Sequence, residues 1–195
     1  MTQAECSHQL HQSEKIMPRI IKTTRLVLRP VHSLEAAELH ALFTNEEVRR
    51  YLTDGAVMSR GWVEGVIRDS EASFTERGLG LWSAREHGAT PIIGLTGFRD
   101  FYDPPVCELL YVLQPSHWHC GFATEMARAA IDYAFTHTRL TEVRASTDEP
   151  NQASIRVMER LGMRSHRRTS MADSRRICWD QLHFILSRDD WQSSY

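Results

Sequence analysis

Apolar and polar positions change rhythm several times along this chain, and each change marks an element. From residue 25, RLVLRPV alternates with period two, as a half-buried strand does, and Pro30 ends it. Ser33 then offers a cap to a helix whose apolar positions Leu34, Ala37, Leu39, Ala41 and Leu42 recur at roughly helical spacing. Further helices are expected around residues 46–52 and 59–77. Three extended runs follow at residues 79–86, 92–101 and 106–113, with turns at 87–91 and 103–105. After Gly121 the helical period returns. Ala123, Met126, Ala127, Ala130, Ile131 and Ala134 share one face, and Glu125, Arg128 and Asp132 take the other. A strand at 142–147, a helix at 152–161 closed by Gly162, and two terminal strands complete the order. Helical hairpin, antiparallel strands, then strand–helix–strand–helix–strand–strand predicts an α/β protein with a mixed sheet. Residues 1–18 are polar and lack a periodic apolar face, so a flexible extension is expected there, with Met17 as an alternative start.

Composition narrows this picture. The chain has 195 residues, and residues 19–195 are expected to form a single domain burying about 70% of its unfolded surface. Lys and Arg number 23 against 25 Asp and Glu, so no global field draws the protein to nucleic acid or a membrane surface. The longest strictly apolar run, residues 109–113, is too short to span a bilayer, and no charged-then-apolar leader opens the chain. Cys6, Cys107, Cys120 and Cys178 show no metal or redox spacing, so free thiols and a cytoplasmic setting are expected. The close histidine pairs, His8/His11 and His117/His119, lack a supporting set of carboxylates or cysteines, and no metal is expected.

Chemistry concentrates where the apolar run VCELLYVLQP meets SHWHCGFATEMARAAIDYAF, residues 106–135. Strand, small-residue turn and helix start build a phosphate cradle from backbone alone. The first N–H groups of a helix have no intrahelical partner, and the helix dipole adds partial positive charge there. Gly121 and Ala123 are small enough to let phosphates approach. On the preceding strand Glu108 shares a face with Val106, Leu110 and Val112. A carboxylate among apolar neighbours has its pKa raised toward neutrality, which suits a general base acting through a water. A structural ion pair with Arg99 or Arg144 is the alternative. Tyr111, on the same strand, is either a candidate acid or a core aromatic. Asn151 and Ser154 open the later helix, where an N-cap role would explain both.

Together these segments resemble the Gcn5-related N-acetyltransferase (GNAT) superfamily, in its RimJ/RimL-type ribosomal-protein N-terminal acetyltransferase branch. The branch's turn typically reads W-G-(K/R)-G-Y-A-T-E, matched here by Trp118, Gly121, Phe122, Ala123, Thr124 and Glu125. Its later helix reads N-x-x-S-x-R-V-x-x-K-L-G-F, matched by Asn151, Ser154, Arg156, Val157, Leu161, Gly162 and Met163. The opening TTRLVLRP and the closing ICWDQLHFILSRDDW are also similar, so the resemblance spans roughly residues 20–191.

The resemblance implies a GNAT fold, with a mostly antiparallel central sheet of about seven strands splayed at the cofactor site and flanked by helices. It implies acetyl-coenzyme A as co-substrate, gripped by the backbone of residues 119–124, and a primary amine as acceptor, either a protein N-terminus or a small molecule. Transfer would be direct, in a ternary complex. Glu108 stands where the family often carries a proposed base. Asn151 would contact the pantetheine arm, and Ser154, or alternatively Tyr111, would protonate the leaving thiolate. Backbone N–H groups of Leu110, Tyr111, Val112 and Leu113 would meet the thioester carbonyl and the pantetheine amides. Two positions depart from the pattern: His119 stands where glycine is usual, and Cys120 where a cation is usual. Weaker coenzyme A binding is the expectation. Cys120, beside a helix start, is also expected to carry a lowered pKa and oxidise readily, tested by iodoacetamide labelling against Cys6.

For the acceptor, Tyr51, Trp62, Trp82, Phe98 and Tyr102 are candidate groove aromatics, each equally a core residue. Arg164, Arg167, Arg168, Arg175 and Arg176 form either a surface for an acidic partner or a solvated hairpin. A non-catalytic acyl-coenzyme A sensor is the rival reading, and both monomer and homodimer fit.

Overall fold

The computed structural model describes residues 19–102, 104–170 and 179–193. The expected extension at 1–18, Cys6, Cys178, Arg175 and Arg176 lie outside the described residues. The chain opens with β1 (Ile21–Lys22) and β2 (Leu26–Pro30), followed by a 3₁₀ turn (Ser33–Glu35). Helices α1 (Ala36–Thr44), α2 (Glu46–Leu52) and α3 (Arg60–Arg77) come next, then strands β3 (Leu81–Glu86), β4 (Gly94–Phe101) and β5 (Val106–Leu113). After a second 3₁₀ turn (Pro115–His117) come α4 (Phe122–His137), β6 (Glu142–Asp148), α5 (Gln152–Arg160), β7 (Arg164–Thr169), β8 (Gln181–Ser187) and a short α6 (Arg188–Gln192).

Local chemistry sets most of these limits. Asn45 accepts from the N–H groups of Glu47 and Val48 to start α2, Ser59 caps α3, and Gly78 at φ 71° ends it. One cap differs from the expectation. His32, not Ser33, opens the first helical segment, its ring accepting from the Leu34 N–H while Glu35 accepts from the His32 N–H, a capping box built on histidine. The buried stripe of α1 is therefore Ala36, Leu39, Leu42 and Phe43, and Leu34 is 89% exposed instead of facing the core.

Strands β1 to β5 form one antiparallel sheet in sequential order, and β6, β8 and β7 form a second. With the two-residue β1, eight strands lie among the described residues. Sheets meet at β5 and β6, which lie side by side without ladder pairing, so the expected splay is a complete break in the hydrogen-bonded ladder. Strands β3 and β4 are buried along most of their length because helices cover both faces. On one face α4 sets Met126, Ala130 and Ile131 against Leu26, Trp82 and Leu109. On the other, Leu39, Phe43, Val63 and Ile67 from α1 and α3 cover Leu81, Leu95 and Val112. A large side chain buried this way contributes ~1.5–3 kcal/mol, far more than any single helix propensity, so packing holds α4 in place. Among the described residues no helix is long and apolar enough to cross a membrane, and no group of His, Cys, Asp or Glu could hold a metal ion.

Candidate active site

The site forms where three chain segments end close together: the open edge of β5, the start of α4 and the start of α5. Register decides what β5 offers. Residues 106–113 pair with 101–94 without a shift, and the Gln114 N–H continues that ladder to the Ile93 carbonyl. Backbone groups alternate sides in an antiparallel pair, so the amides of Val112 and Leu110 turn toward β4. The Thr96 hydroxyl donating to the Leu110 carbonyl at 3.1 Å fits that assignment. So does Phe98, opposite Leu109, whose N–H goes the other way to the Gly80 carbonyl. Leu109, Tyr111 and Leu113 therefore present their backbone groups to the splay. Of the four residues expected to supply donors there, only Tyr111 and Leu113 do so, because the period of two commits Leu110 and Val112 to the ladder.

At the end of β5 the chain turns tightly. The Trp118 indole donates to the Leu113 carbonyl at 2.8 Å, which anchors the turn to the strand. His119 at φ 61° and Gly121 at φ 80° are both left-handed, the conformation glycine adopts without steric cost. Histidine at position 119 accepts this backbone at a steric cost that glycine would not meet. Helix α4 then begins at Phe122 with no side-chain cap, and its first ladder bond runs from the Glu125 N–H to the Gly121 carbonyl. The amides of Phe122, Ala123 and Thr124 are thus left without helical partners. The Thr124 hydroxyl is buried and has no partner among the described residues. An uncapped helix start beside an orphaned hydroxyl fits a pyrophosphate.

Sequence reading missed the residue that holds this turn. Arg25, at the foot of β2, donates to the Cys120 carbonyl at 2.9 Å and to Glu125 Oε2 at 2.7 Å, and its guanidinium lies 4.3 Å above the Phe122 ring. Glu125 also accepts from the Thr23 hydroxyl and the Arg25 N–H. Burial alone would raise its pKa, but these hydrogen bonds and the Arg25 charge outweigh burial and hold it below the ordinary carboxylate value. So a cation stands beside the turn although Cys120 supplies none. Both partners lay in quoted motifs, TTRLVLRP and ATE, and only the fold joins them. Cys120 itself is exposed, its Sγ 3.4 Å from the Trp118 carbonyl oxygen.

Glu108 is 5% exposed and sits on the β5 face it shares with Leu110 and Val112. Burial raises its pKa; a hydrogen bond from Ser146 and the charge of Arg144 pull the other way without cancelling the effect. The alternative ion pair forms with neither arginine. Arg99, directly opposite in register, stacks over Trp62 and Phe101, and Arg144 pairs with Glu142. The partner of Glu108 is Ser146 on β6, at 2.6 Å, so this contact crosses the splay.

The second crossing joins Tyr111 to α5. Its hydroxyl lies 2.7 Å from Ser154 Oγ and donates to the Ser154 carbonyl at 3.0 Å, and burial pushes its pKa up, keeping it protonated. The two candidate acids are thus one hydrogen-bonded pair. Asn151 caps α5 by accepting from the Ser154 N–H at 3.2 Å, leaving its carboxamide NH₂ as the group able to donate to a ligand.

Among the aromatics, Trp82 and Phe98 are core residues at 0% and 2% exposure, because β3 and β4 are covered on both faces. Trp62 packs edge-on against Phe43, and Tyr51 lies against Trp179, while Tyr102 is half-exposed beside the splay. Of the arginine cluster, Arg164 pairs with Asp190, and Arg168 with Asp180 and Glu149, so β7 is a solvated, internally paired strand.

A family model described as an acetyltransferase (GNAT) domain matches residues 25–164. Two similar proteins come from Bacillus subtilis. YoaA, an uncharacterized N-acetyltransferase, is 28% identical over 144 residues, covering 73% of this chain and 81% of its own. The uncharacterized protein YkkB is 31% identical over 146 residues, covering 72% and 83%. A GNAT-family acetyltransferase structure from Bacillus anthracis superposes with a TM-score of 0.72 at 20% identity, covering 88% of this chain and 99% of the other. RimL, the ribosomal L7/L12 alpha-N-protein acetyltransferase in complex with coenzyme A, superposes at 0.74 with 17% identity, covering 88% and 99%. At such identities the structural likeness speaks for the fold.

Proposed function

This chain belongs to the GNAT acetyltransferase family, and from that premise we propose that it acetylates a primary amine by direct attack within a ternary complex. The observation that carries the reading is the unpaired β5 edge, with buried Glu108 on one strand face and the Tyr111–Ser154 pair on the other. Acetyl-coenzyme A supplies the activated acetyl thioester. The amides of Tyr111 and Leu113 offer donors to its carbonyl and to the pantetheine arm, as an added strand would be met. The amides of residues 122–124 and the Thr124 hydroxyl receive the pyrophosphate, with Trp118, His119, Cys120 and Gly121 shaping the turn and Arg25 holding it. Asn151 donates to the pantetheine arm.

Glu108, with its raised pKa, accepts the proton that the acceptor's ammonium must lose before its nitrogen can attack, through one water. The Ser154 hydroxyl, backed by Tyr111, stands to return a proton to the departing sulfur. The acceptor is a protein N-terminal amine, as in the RimJ/RimL branch, or a small amine. The protein works as a monomer or homodimer, and free thiols at Cys107 and Cys120 suit a reducing cytoplasm.

Calorimetric titration with acetyl-coenzyme A, followed by thiol-release assays across amines, tests this. Binding in the range of about 1 μM to 1 mM is expected. Glu108→Gln is expected to lower turnover by about 10²–10⁴ with affinity for acetyl-coenzyme A retained. Binding without turnover on any amine would favour the acyl-coenzyme A sensor, and absence of binding would overturn both.

A further inference from the structure

A buried base that takes a proton must return it to water before the next turnover, and Glu108 is almost sealed from solvent. Its side-chain hydrogen bond runs across the splay to β6. Ser146 Oγ lies 2.6 Å from Glu108 Oε2, and Tyr102 Oη lies 2.7 Å from Ser146 Oγ. Tyr102 Oη is in turn 3.0 Å from Gln181 Oε1 at the start of β8, and the tyrosine is 50% exposed.

Counting protons shows how these contacts are wired. Three contacts join four groups, and the two hydroxyls carry one proton each. With Glu108 ionised, Ser146 donates to it, and the Tyr102 proton can then serve Ser146 or Gln181 but not both. The set closes in that state only if the Gln181 carboxamide turns its NH₂ toward the phenol. With Glu108 protonated there are three protons for three contacts, all pointing outward, from Glu108 to Ser146 to Tyr102 to Gln181. The same groups therefore close in two opposite senses, which is what a chain that conducts a proton requires.

We propose that Ser146 and Tyr102 form a proton relay that carries the proton accepted by Glu108 out to solvent beside β8. The inference rests on the acetyltransferase reading above. In the relay step the Glu108 O–H bond breaks as Ser146 Oγ gains that proton. The original Ser146 proton passes to Tyr102 Oη, and the original Tyr102 proton passes to water once the phenol O–H turns from Gln181 Oε1 to solvent. Glu108 ends as a carboxylate and both hydroxyls end neutral, so the balance is one proton delivered to solvent. Neither residue meets the substrates in this scheme; both are positioning residues acting through Glu108.

The backbone supports the assignment. Tyr102 sits at φ 68°, a left-handed conformation few non-glycine residues adopt. Its phenol reaches from the end of β4 to Ser146 on β6 and Gln181 on β8. Among the described residues, Arg144 acts on Glu108, the Glu108 charge and Cys107 act on each other, Asp148 acts on Tyr102, and the His183 ring lies 6.3 Å from the Tyr102 ring.

The test uses the full chain with acetyl-coenzyme A and, as acceptor probes, a peptide with a free N-terminal amine and a polyamine. Tyr102→Phe keeps the ring and removes the exchangeable proton. It is expected to lower kcat about tenfold, a fraction of the 10²–10⁴ that a complete base supplies, with KM for acetyl-coenzyme A unchanged. High concentrations of imidazole, a small proton carrier, are expected to restore the rate. Ser146→Ala should behave likewise and Ser146→Thr, which keeps a hydroxyl, should not. A second measurement needs no acceptor: after a pH jump, the infrared carboxyl band of Glu108 is expected to disappear more slowly in Tyr102→Phe than in wild type. Wild-type kcat together with a wild-type band decay in Tyr102→Phe would overturn the relay. So would a slowed kcat that imidazole leaves unrestored while the thermal midpoint falls, since that marks a mere staple between the sheets. Failure of the underlying reading is separate: wild type itself then acetylates neither probe, or Glu108→Gln keeps full turnover.

Discussion

Ser146 donates to Glu108 and the Arg144 charge favours its ionised form, yet burial outweighs both and the carboxyl titrates above its ordinary value. Because its folded pKa is raised, the native state holds this proton more tightly than the unfolded chain does. The stability it contributes is present in full below the unfolded pKa and is lost as pH rises through the folded one. Glu108→Gln, of similar shape but without charge, is therefore expected to be at least as stable as wild type at pH 8, with the advantage shrinking toward pH 4; thermal midpoints at the two pH values decide it. His119 raises a second residue-scale question. Left-handed backbone costs a non-glycine residue roughly 1–2 kcal/mol, while glycine costs roughly 0.5–1 kcal/mol in unfolded-chain entropy. The first term is larger, so His119→Gly is expected to stabilise the fold by about 0.5 kcal/mol, measured by urea unfolding, with coenzyme A affinity equal or better.

At the scale of elements, α4 is legible in sequence because its apolar face has a clean helical period, and β5 because its run holds one polar residue, Glu108, among apolar ones. The 3₁₀ start before α1 departs from the sequence pattern because the His32 ring, not the Ser33 hydroxyl, caps it. What the β5 edge offers is only half legible in sequence. The run 110–113 is apparent there, and the pairing with β4 selects Tyr111 and Leu113 from it. Hydrogen exchange checks this: on adding coenzyme A, the amides of Tyr111 and Leu113 are expected to gain protection, with Leu110 and Val112 slow throughout. The clamp between β2 and α4 yields another prediction. Arg25→Ala removes the bond to the Cys120 carbonyl and strips Glu125 of its cation. Arg25 is half exposed, so screening limits the loss to about 1–2 kcal/mol, with coenzyme A affinity reduced as the turn loosens. Glu125, its pKa lowered by its partners, contributes stability above the unfolded pKa that disappears as pH falls through the folded value. Urea midpoints are thus expected to separate wild type from Arg25→Ala at pH 7 and to converge in acid.

Across the whole molecule, two sheets meet without a shared ladder, and the described side-chain contacts joining them run through Glu108, Tyr111 and Tyr102 toward β6, α5 and β8. A ligand that fills this break as an added strand binds the native state alone. Coenzyme A at a hundred times its Kd is expected to stabilise by about 2.7 kcal/mol, or roughly 5–10 °C in a chain this long, as differential scanning fluorimetry would report. Sequence by itself determined the order of the larger helices and strands, the amphipathic face of α4, the glycine-marked turn and the family, because these rest on local periodicity and on residues close together in the chain. Tertiary structure alone decided which amides on β5 are free, that Trp82 and Phe98 belong to the core, that Arg25 reaches the turn, and that Glu108 meets Ser146 instead of an arginine. Those outcomes depend on register and on contacts such as Arg25 to Glu125, one hundred residues apart, or Glu108 to Ser146, thirty-eight apart, which no local pattern encodes.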